Sequence, residues 1–275
     1  MSDVAAAVEA GRLGGRLWFY SNYHCNLACT YCLTDSAPRV RRRLVDADTM
    51  CDLAAAGLEL GFTSFGVTGG EPFLLPDMPT TLARLAELGP MVVLSNATLF
   101  TDRLLRRLAP LARREVAVQV SLDSADPVAN DRLRADRNHR RVVEAIPRLR
   151  AAGLRVRVAT TTEALSDEDR ERLCALHRSL GVDDEDHVVR PVVRRGRASA
   201  HGMGVDATAA DLPAELTITA DGAFWSPFGP TVRDGRLDTD LLLTRTTRPL
   251  SIPAAAMLRV VEGRPPGEDA SLGIR

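Results

Sequence analysis

The sequence predicts an α/β chain: a partial (β/α)6 barrel of the TIM type, with a short C-terminal extension of β-hairpin and helix. Two observations carry this. Six short apolar, β-branched runs alternate with five amphipathic helical stretches, each long enough to cross over a parallel sheet. The chemically unusual residues sit at the ends of those runs, and in a parallel barrel the strand C-terminal ends converge on one face, where sites are built. Alternation alone fits a barrel or an open doubly wound sheet; the convergence of polar residues from six separate segments favours the barrel.

The elements follow in order. Residues 1–15 form an N-terminal extension, and the barrel core spans 16–198. Strands are predicted at 16–20, 63–68, 91–95, 116–122, 155–161 and 187–193. Helices are predicted at 48–60, 78–88, 102–111, 139–152 and 166–180, with Gly61, Gly89, Gly153 and Gly181 near four of the stop positions. Residues 199–275 are read as linker and tail. The stretch 194–213, rich in Gly, Ala and Arg, reads as a linker, and 216–225 alternates around Asp221-Gly222, a hairpin signal. A last helix runs over about 253–262, and 263–275 reads as frayed.

Composition sets the outer limits. The chain has 275 residues, 45% hydrophobic and 26% charged, which is ordinary for a globular protein. A formal net charge of -1 leaves no basic field for non-specific nucleic-acid binding. Every basic residue is Arg; without Lys, neither a Schiff base nor a Walker-type phosphate lysine is available. No apolar run reaches the roughly 20 residues of a membrane span, and the N-terminus lacks a signal pattern, so a cytoplasmic location is expected.

Three of the five cysteines, Cys25, Cys29 and Cys32, crowd behind the first strand in a Cys-x3-Cys-x2-Cys loop. In a chain too large to need disulfide staples, that crowding points to metal. Three thiolates cannot close a tetrahedral zinc site unaided, and His24 is awkwardly adjacent to Cys25 for the fourth position. A 4Fe–4S cube held by three cysteines keeps one iron open for a small molecule. Structural zinc and three unrelated core cysteines are the other readings. Cys51 and Cys174 fall on predicted helices and read as small buried hydrophobes.

Read in order, the motifs resemble those of the radical S-adenosylmethionine (SAM) superfamily. The cysteine loop carries Tyr31 before its last cysteine. Gly69-Gly70-Glu71-Pro72 resembles the family's Gly-Gly-Glu-Pro, Ser95-Asn96 its third-strand pair, and Ser121-Leu122-Asp123 its fourth-strand motif. Asn130-Asp131-Arg132-Leu133-Arg134 and Arg190-Pro191 with Arg195-Gly196-Arg197-Ala198 resemble the branch that holds molybdenum-cofactor, haem and peptide-maturing enzymes.

The resemblance implies one 4Fe–4S cluster on Cys25, Cys29 and Cys32, with SAM chelated at the open iron. It implies Gly69, Gly70 and Glu71 at the SAM amino group, the two glycines permitting close approach because they lack Cβ. Ser95 and Ser121 would lie near ribose or carboxylate, with Asn96 and Asp123 bracing them or sharing that role. Tyr31 and Val193 would flank adenine. Arg134 would pair with a carboxylate of SAM or substrate, or serve structure alone. Reductive cleavage would yield a 5′-deoxyadenosyl radical that abstracts a substrate hydrogen.

Residues 216–227 resemble the hairpin opening a SPASM or twitch extension, but Ser226-Pro227 stands where a cysteine usually follows, and no Cys occurs after Cys174. The extension is therefore expected to be degenerate, without an auxiliary cluster. The expected activity is tailoring of a small molecule or peptide in a biosynthetic pathway. The expected partners are that substrate and an external one-electron reductant of the flavodoxin or ferredoxin type, with no nucleic acid and no membrane. A catalytically idle iron–sulfur partner protein is the alternative.

Overall fold

The computed structural model describes residues 2–233 and 236–262. The tail read as frayed, 263–275, lies outside them. A short helix, α1 (Asp3–Glu9), precedes the barrel; Ser2 caps it, its side chain accepting from the Ala5 amide. Then come β1 (Arg16–Tyr20), α2 (Ala47–Leu60), β2 (Ser64–Thr68), α3 (Met78–Leu88), β3 (Met91–Ser95) and α4 (Asp102–Leu108). They are followed by β4 (Val116–Ser121), α5 (Pro127–Leu133), α6 (Asn138–Ala151), β5 (Arg155–Thr162), α7 (Asp167–Ser179) and β6 (His187–Pro191).

Each predicted strand and crossover helix is present, with ends shifted by at most three residues. The helix expected over 102–111 stops at Leu108 and continues as a 3-10 turn, Ala109–Arg113, because Pro110 has no N–H to donate to an α-helical carbonyl. Two helices were not foreseen in the barrel half. The first, α1, is apolar and short. The second, α5, has a start signal that the sequence does carry: Asp126 caps it, accepting from the Val128 and Ala129 amides, with Pro127 at the first position.

Strands β1 to β6 pair in sequence order, all parallel. Alternation then sorts their side chains. Leu17, Phe19, Phe65, Val67, Val93, Val118, Val120, Val156 and Val158 are buried in one large core with the helices. The opposite set, including Trp18, Tyr20, Thr68, Gln119, Ser121 and Thr161, lines the lumen. A Cβ at Gly66 would run into the Trp18 ring. The missing side chain lets that indole lie across the lumen and donate to Glu215 Oε2 at 2.5 Å.

After β6 the chain forms α8 (Gly196–Ala200), then β7 (Thr217–Thr219) and β8 (Gly222–Phe224), the expected hairpin about Asp221. A two-stranded pair, β9 (Val232–Arg233) and β10 (Arg236–Leu237), follows, then β11 (Leu242–Thr244) and α9 (Ser251–Glu262). The extension does not stand apart. Strand β7 joins β1 in parallel register, Trp18 against Thr217, giving a nine-stranded sheet ordered β11-β8-β7-β1-β2-β3-β4-β5-β6.

One buried group makes the fold sensitive to acid. His177 on α7 is fully buried, neither ring nitrogen has a hydrogen-bond partner among the described residues, and its edge meets His187 with ring centroids 4.4 Å apart. Burial, aided by His187, lowers its pKa from 6.5 to about 4. The unfolded chain therefore takes up this proton first as pH falls. The stability contributed by neutral His177 is complete above pH 6.5 and is lost as pH falls toward 4. His177→Phe is expected to retain about 2 kcal/mol more of its neutral-pH stability than the parent does when pH drops from 7 to 5. Urea midpoints of both proteins at the two pH values check it; parallel losses contradict the assignment.

Candidate functional site

The cysteine loop leaves β1 and is tied down on both sides. Short bridges pair Asn22 with Leu44 and His24 with Ala37. Arg197, at the start of α8, clamps the loop from above: its backbone N–H donates to Cys32 O at 2.9 Å, Nη1 to Cys29 O at 2.7 Å and Nη2 to Ser36 O at 2.9 Å, with Asp35 as its ion-pair partner at 2.8 Å. Gly196 holds φ +53°, and a Cβ there would run into the Leu33 carbonyl oxygen, so Arg197 reaches the loop only because the preceding residue is glycine. Thr231 adds a bond from its hydroxyl to Leu33 O at 2.8 Å.

The double glycine after β2 locks onto the same loop. Gly69 has φ +138°, and Cβ atoms at Gly69 and Gly70 would run into the carbonyl oxygens of Asn22 and His24 respectively. The Gly70 amide donates to Asn22 O at 2.7 Å and the Glu71 amide to His24 O at 3.0 Å. The close approach expected at these glycines is therefore made by the chain's own backbone, immediately before Cys25.

The Glu71 side chain is fully buried. Its carboxylate accepts from the Asn96 amide at 2.8 Å, Ser95 Oγ at 3.0 Å and the Phe73 amide at 3.1 Å. Burial pushes its pKa up to about 7; these donors and Arg134 pull the other way. In this arrangement Glu71 braces the ends of β2 and β3 against each other.

A second buried network stands across the lumen. Tyr31 donates to Asp123 Oδ2 at 2.5 Å, Arg134 Nη1 donates to the same oxygen at 3.1 Å and to the Tyr31 hydroxyl, and the Thr161 amide donates to Asp123 Oδ1 at 3.0 Å. The Asp123 amide in turn donates to Asn130 Oδ1 at 3.0 Å. This joins the cysteine loop, β4, β5 and α5. Tyr31 ionisation is strongly opposed, by burial first.

Cys25, Cys29, Cys32, Gly69, Gly70, Ser95, Asn96 and Ser121 all line one cavity of about 150 Å³. Glu71, Asp123 and Tyr31 stand behind that wall, and Val193 is buried beyond it, bridged to Val205. Leu27, Ser36, Thr68, Leu94 and Arg134 also line the cavity. Arg134 ends the Asn130–Arg134 motif. Thr68 and Leu94 were legible as lumen positions by strand alternation, whereas Leu27 and Ser36 carry no sequence signal. Cys51 and Cys174 are on α2 and α7, away from this wall. Larger cavities of about 780 and 540 Å³ open at the N-terminal ends of the strands and hold no cysteine.

The donor set fits an iron–sulfur cube. Asn96 Nδ2 approaches Cys25 Sγ at 3.6 Å, the Leu27 amide at 3.3 Å, and Thr34 Oγ1 lies 3.3 Å from Cys32 Sγ. Donors of this kind stabilise thiolate sulfur. Burial pushes the Cys25 thiol up to about 12 and raises Cys29 too, so these sulfurs need a cationic centre to become thiolates. Among the described residues, no group of three or more His, Cys, Asp or Glu is arranged to hold a single metal ion. Thiolates on a cube bind separate irons and stand wider apart than the ligands of one ion.

Comparison with known proteins agrees with this geometry. Residues 20–178 match the model of the radical SAM superfamily. The chain is 30% identical to a PqqA peptide cyclase of Streptomyces rochei, over 80% of this chain and 57% of that one. It is 29% identical to a GTP 3′,8-cyclase of Acidothermus cellulolyticus, over 75% and 57%. The chain thus spans little more than half the length of these curated relatives. Among solved structures, Streptococcus suis SuiB bound to S-adenosylmethionine superposes with TM-score 0.60 at 20% identity, over 75% of this chain and 47% of that one. The structure anSMEcpe with bound AdoMet and Cp18Cys peptide gives 0.61 at 11% identity, over 87% and 79%. Those two likenesses are of fold, the partial TIM barrel.

Proposed function

The chain belongs to the radical SAM superfamily, whose cofactors are SAM and a 4Fe–4S cluster, and from that premise we propose that it cleaves SAM reductively to tailor a peptide or small molecule. The observation that carries this reading is the meeting of three loop thiols with Gly69, Gly70, Ser95, Asn96 and Ser121 on one cavity wall. The bound cofactors would supply one-electron cleavage of a sulfonium and a carbon radical able to take a hydrogen atom.

The chain's own residues have the following parts. Cys25, Cys29 and Cys32 hold the cluster, and Arg197, Gly69 and Gly70 hold the loop that carries them. The lumen hydroxyl of Ser121 and the Asn96 side chain offer hydrogen bonds to SAM, and Ser95, its hydroxyl held by Glu71, shapes the same wall. Arg134 faces the same cavity and offers a carboxylate partner. Glu71, Tyr31 and Asp123 keep these walls in register. Val193 and Tyr31 as adenine contacts act through position. Cys51 and Cys174, on separate helices, are too few for a second cube, which favours one cluster.

Kinship with a peptide cyclase and with GTP cyclases leaves the substrate class between peptide and small molecule. The proposed electron donor is of the flavodoxin or ferredoxin type. No helix among the described residues is long and apolar enough to cross a membrane. A cytoplasmic place is part of the proposal.

Anaerobic reconstitution tests it. The expected protein is brown, with about four iron atoms per chain, a reduced-cluster EPR signal that SAM alters, and 5′-deoxyadenosine on reduction. One bound zinc in place of iron overturns the reading. Cluster and SAM binding without nucleoside release marks an idle cluster-binding protein instead.

A further inference from the structure

Among the described residues, Arg190 is a lumen cation that the proposed SAM site does not use and that has no ion-pair partner. Arg190 lies on β6 in register with Thr161, whose side of β5 faces the lumen. Six other guanidiniums of the barrel and its flanks have carboxylate partners. Arg16 is matched with Glu215, Arg134 with Asp123, Arg155 and Arg157 with Asp186, Arg195 with Asp240 and Arg197 with Asp35. Among the described residues Arg190 makes no ion pair or hydrogen bond, and its Nε is buried without an acceptor. Its guanidinium carbon sits over Phe228, 5.9 Å from the ring centroid.

A half-buried charge with no counter-charge costs free energy unless something answers it. Burial, and the Arg157 charge with it, disfavours the charged form here, while Asp123 supports it. Asp123 is near but already accepts from Tyr31, Arg134 and Thr161. Nor does Arg190 line the cysteine cavity, whose wall comes from β2, β3, β4 and the loop. It stands on the far strand, beside a residue of the C-terminal extension.

We propose that Arg190 is the substrate anchor of this barrel and that the group it receives is a carboxylate. Phe228 covers a face of the guanidinium and leaves its N–H edges free for a two-pronged bond, which matches a carboxylate. A phosphoryl dianion fits worse: one guanidinium neutralises half of it, and Asp123 and Glu71 at the same end repel the rest. The substrate is accordingly an acid, such as an acidic side chain or the C-terminus of a peptide. This rests on the SAM-cleaving reading above.

The test uses reconstituted, SAM-loaded protein and calorimetric titration with N-acetyl-L-glutamate, N-acetyl-L-glutamine and N-acetyl-O-phosphoserine. The glutamate probe is expected to bind in about the millimolar range, and the glutamine probe about tenfold or more weaker. Arg190→Gln should lose about tenfold or more of glutamate binding while SAM still alters the EPR signal. Arg190→Lys, which keeps charge but not the fork, should fall between, and carries the test if the Gln variant fails to load iron. Equal binding of glutamate and glutamine probes, undiminished binding by both variants, or preference for the phosphorylated probe overturns the proposal. So does loss of SAM binding in Arg190→Gln with cluster intact, which would assign Arg190 to SAM. A parent protein that takes up no cluster or SAM is the failure of the earlier reading, and is seen before any probe is added.

Discussion

Replacing any one of Cys25, Cys29 and Cys32 by alanine is expected to leave protein with almost no iron or labile sulfide and no 5′-deoxyadenosine release. The three thiols come from one loop and face one cavity. Each would hold a separate corner of the same cube, so removing any ligand releases the whole, and the three losses should be alike and non-additive. Thermal melts of the unloaded Cys29 and Cys32 variants should differ little from the parent, since those two are only partly buried, while replacing the buried Cys25 should cost more. Cys51→Ala and Cys174→Ala are the controls and should load iron fully. Iron and sulfide per chain decide it; a fully loaded single variant in the loop removes that cysteine from the assignment.

Gly70→Val is expected to have the next largest effect, and to strike the cluster as well as SAM. The obstruction is the His24 carbonyl, one residue before Cys25, and the next contacts are also backbone: His24 C at 2.5 Å and Tyr23 C at 3.0 Å. Backbone cannot swing aside as a side-chain tip can, so the cysteine loop itself must move. Overpacking of this sort costs about 1–3 kcal/mol or more, and the shift falls on the ligand that Asn96 and Leu27 contact. Iron content should drop, and the residual reduced signal should no longer respond to SAM. Gly202→Ala is the comparison: φ is +66°, yet nothing lies within 4 Å of the new Cβ. It should cost about 1 kcal/mol of backbone strain and leave iron loading intact. Full loading with an unaltered SAM response in Gly70→Val would show that the His24 contact is not what requires glycine.

The six strands were readable because each presents an apolar side to the helices and a mixed side to the lumen, and because polar residues mark their ends. The three cysteines were readable from spacing, and the glycine pair, Ser95, Asn96 and Ser121 from their places at strand ends and the resemblance of their motifs; they share a wall. What escaped was pairing between distant segments. Nothing local to Glu71 shows that its carboxylate is committed to Ser95, Asn96 and Phe73. Nothing local to Tyr31 shows that it reaches Asp123 and Arg134, roughly a hundred residues on. The stretch 194–213 reads as a linker by composition, yet it contains α8, from which Arg197 grips the cysteine loop. Ser226, standing where the resemblance implies a cysteine, is fully buried beside Phe228. The parallel docking of β7 on β1 was likewise invisible, because a three-residue strand carries too little pattern to name its partner.

That docking has a consequence for how the molecule is made. On a ribosome β1 emerges early, while the strand that covers its outer edge follows roughly two hundred residues later, which at about 5–20 residues per second is a delay on the order of 10–40 s. Throughout that interval β1 can zip to β2 on one side but offers a bare row of peptide groups on the other, next to the cysteines, among neighbouring nascent chains on the same message. The period of greatest risk for this protein is thus timed by translation, and a slower message lengthens it without altering a single contact in the finished fold.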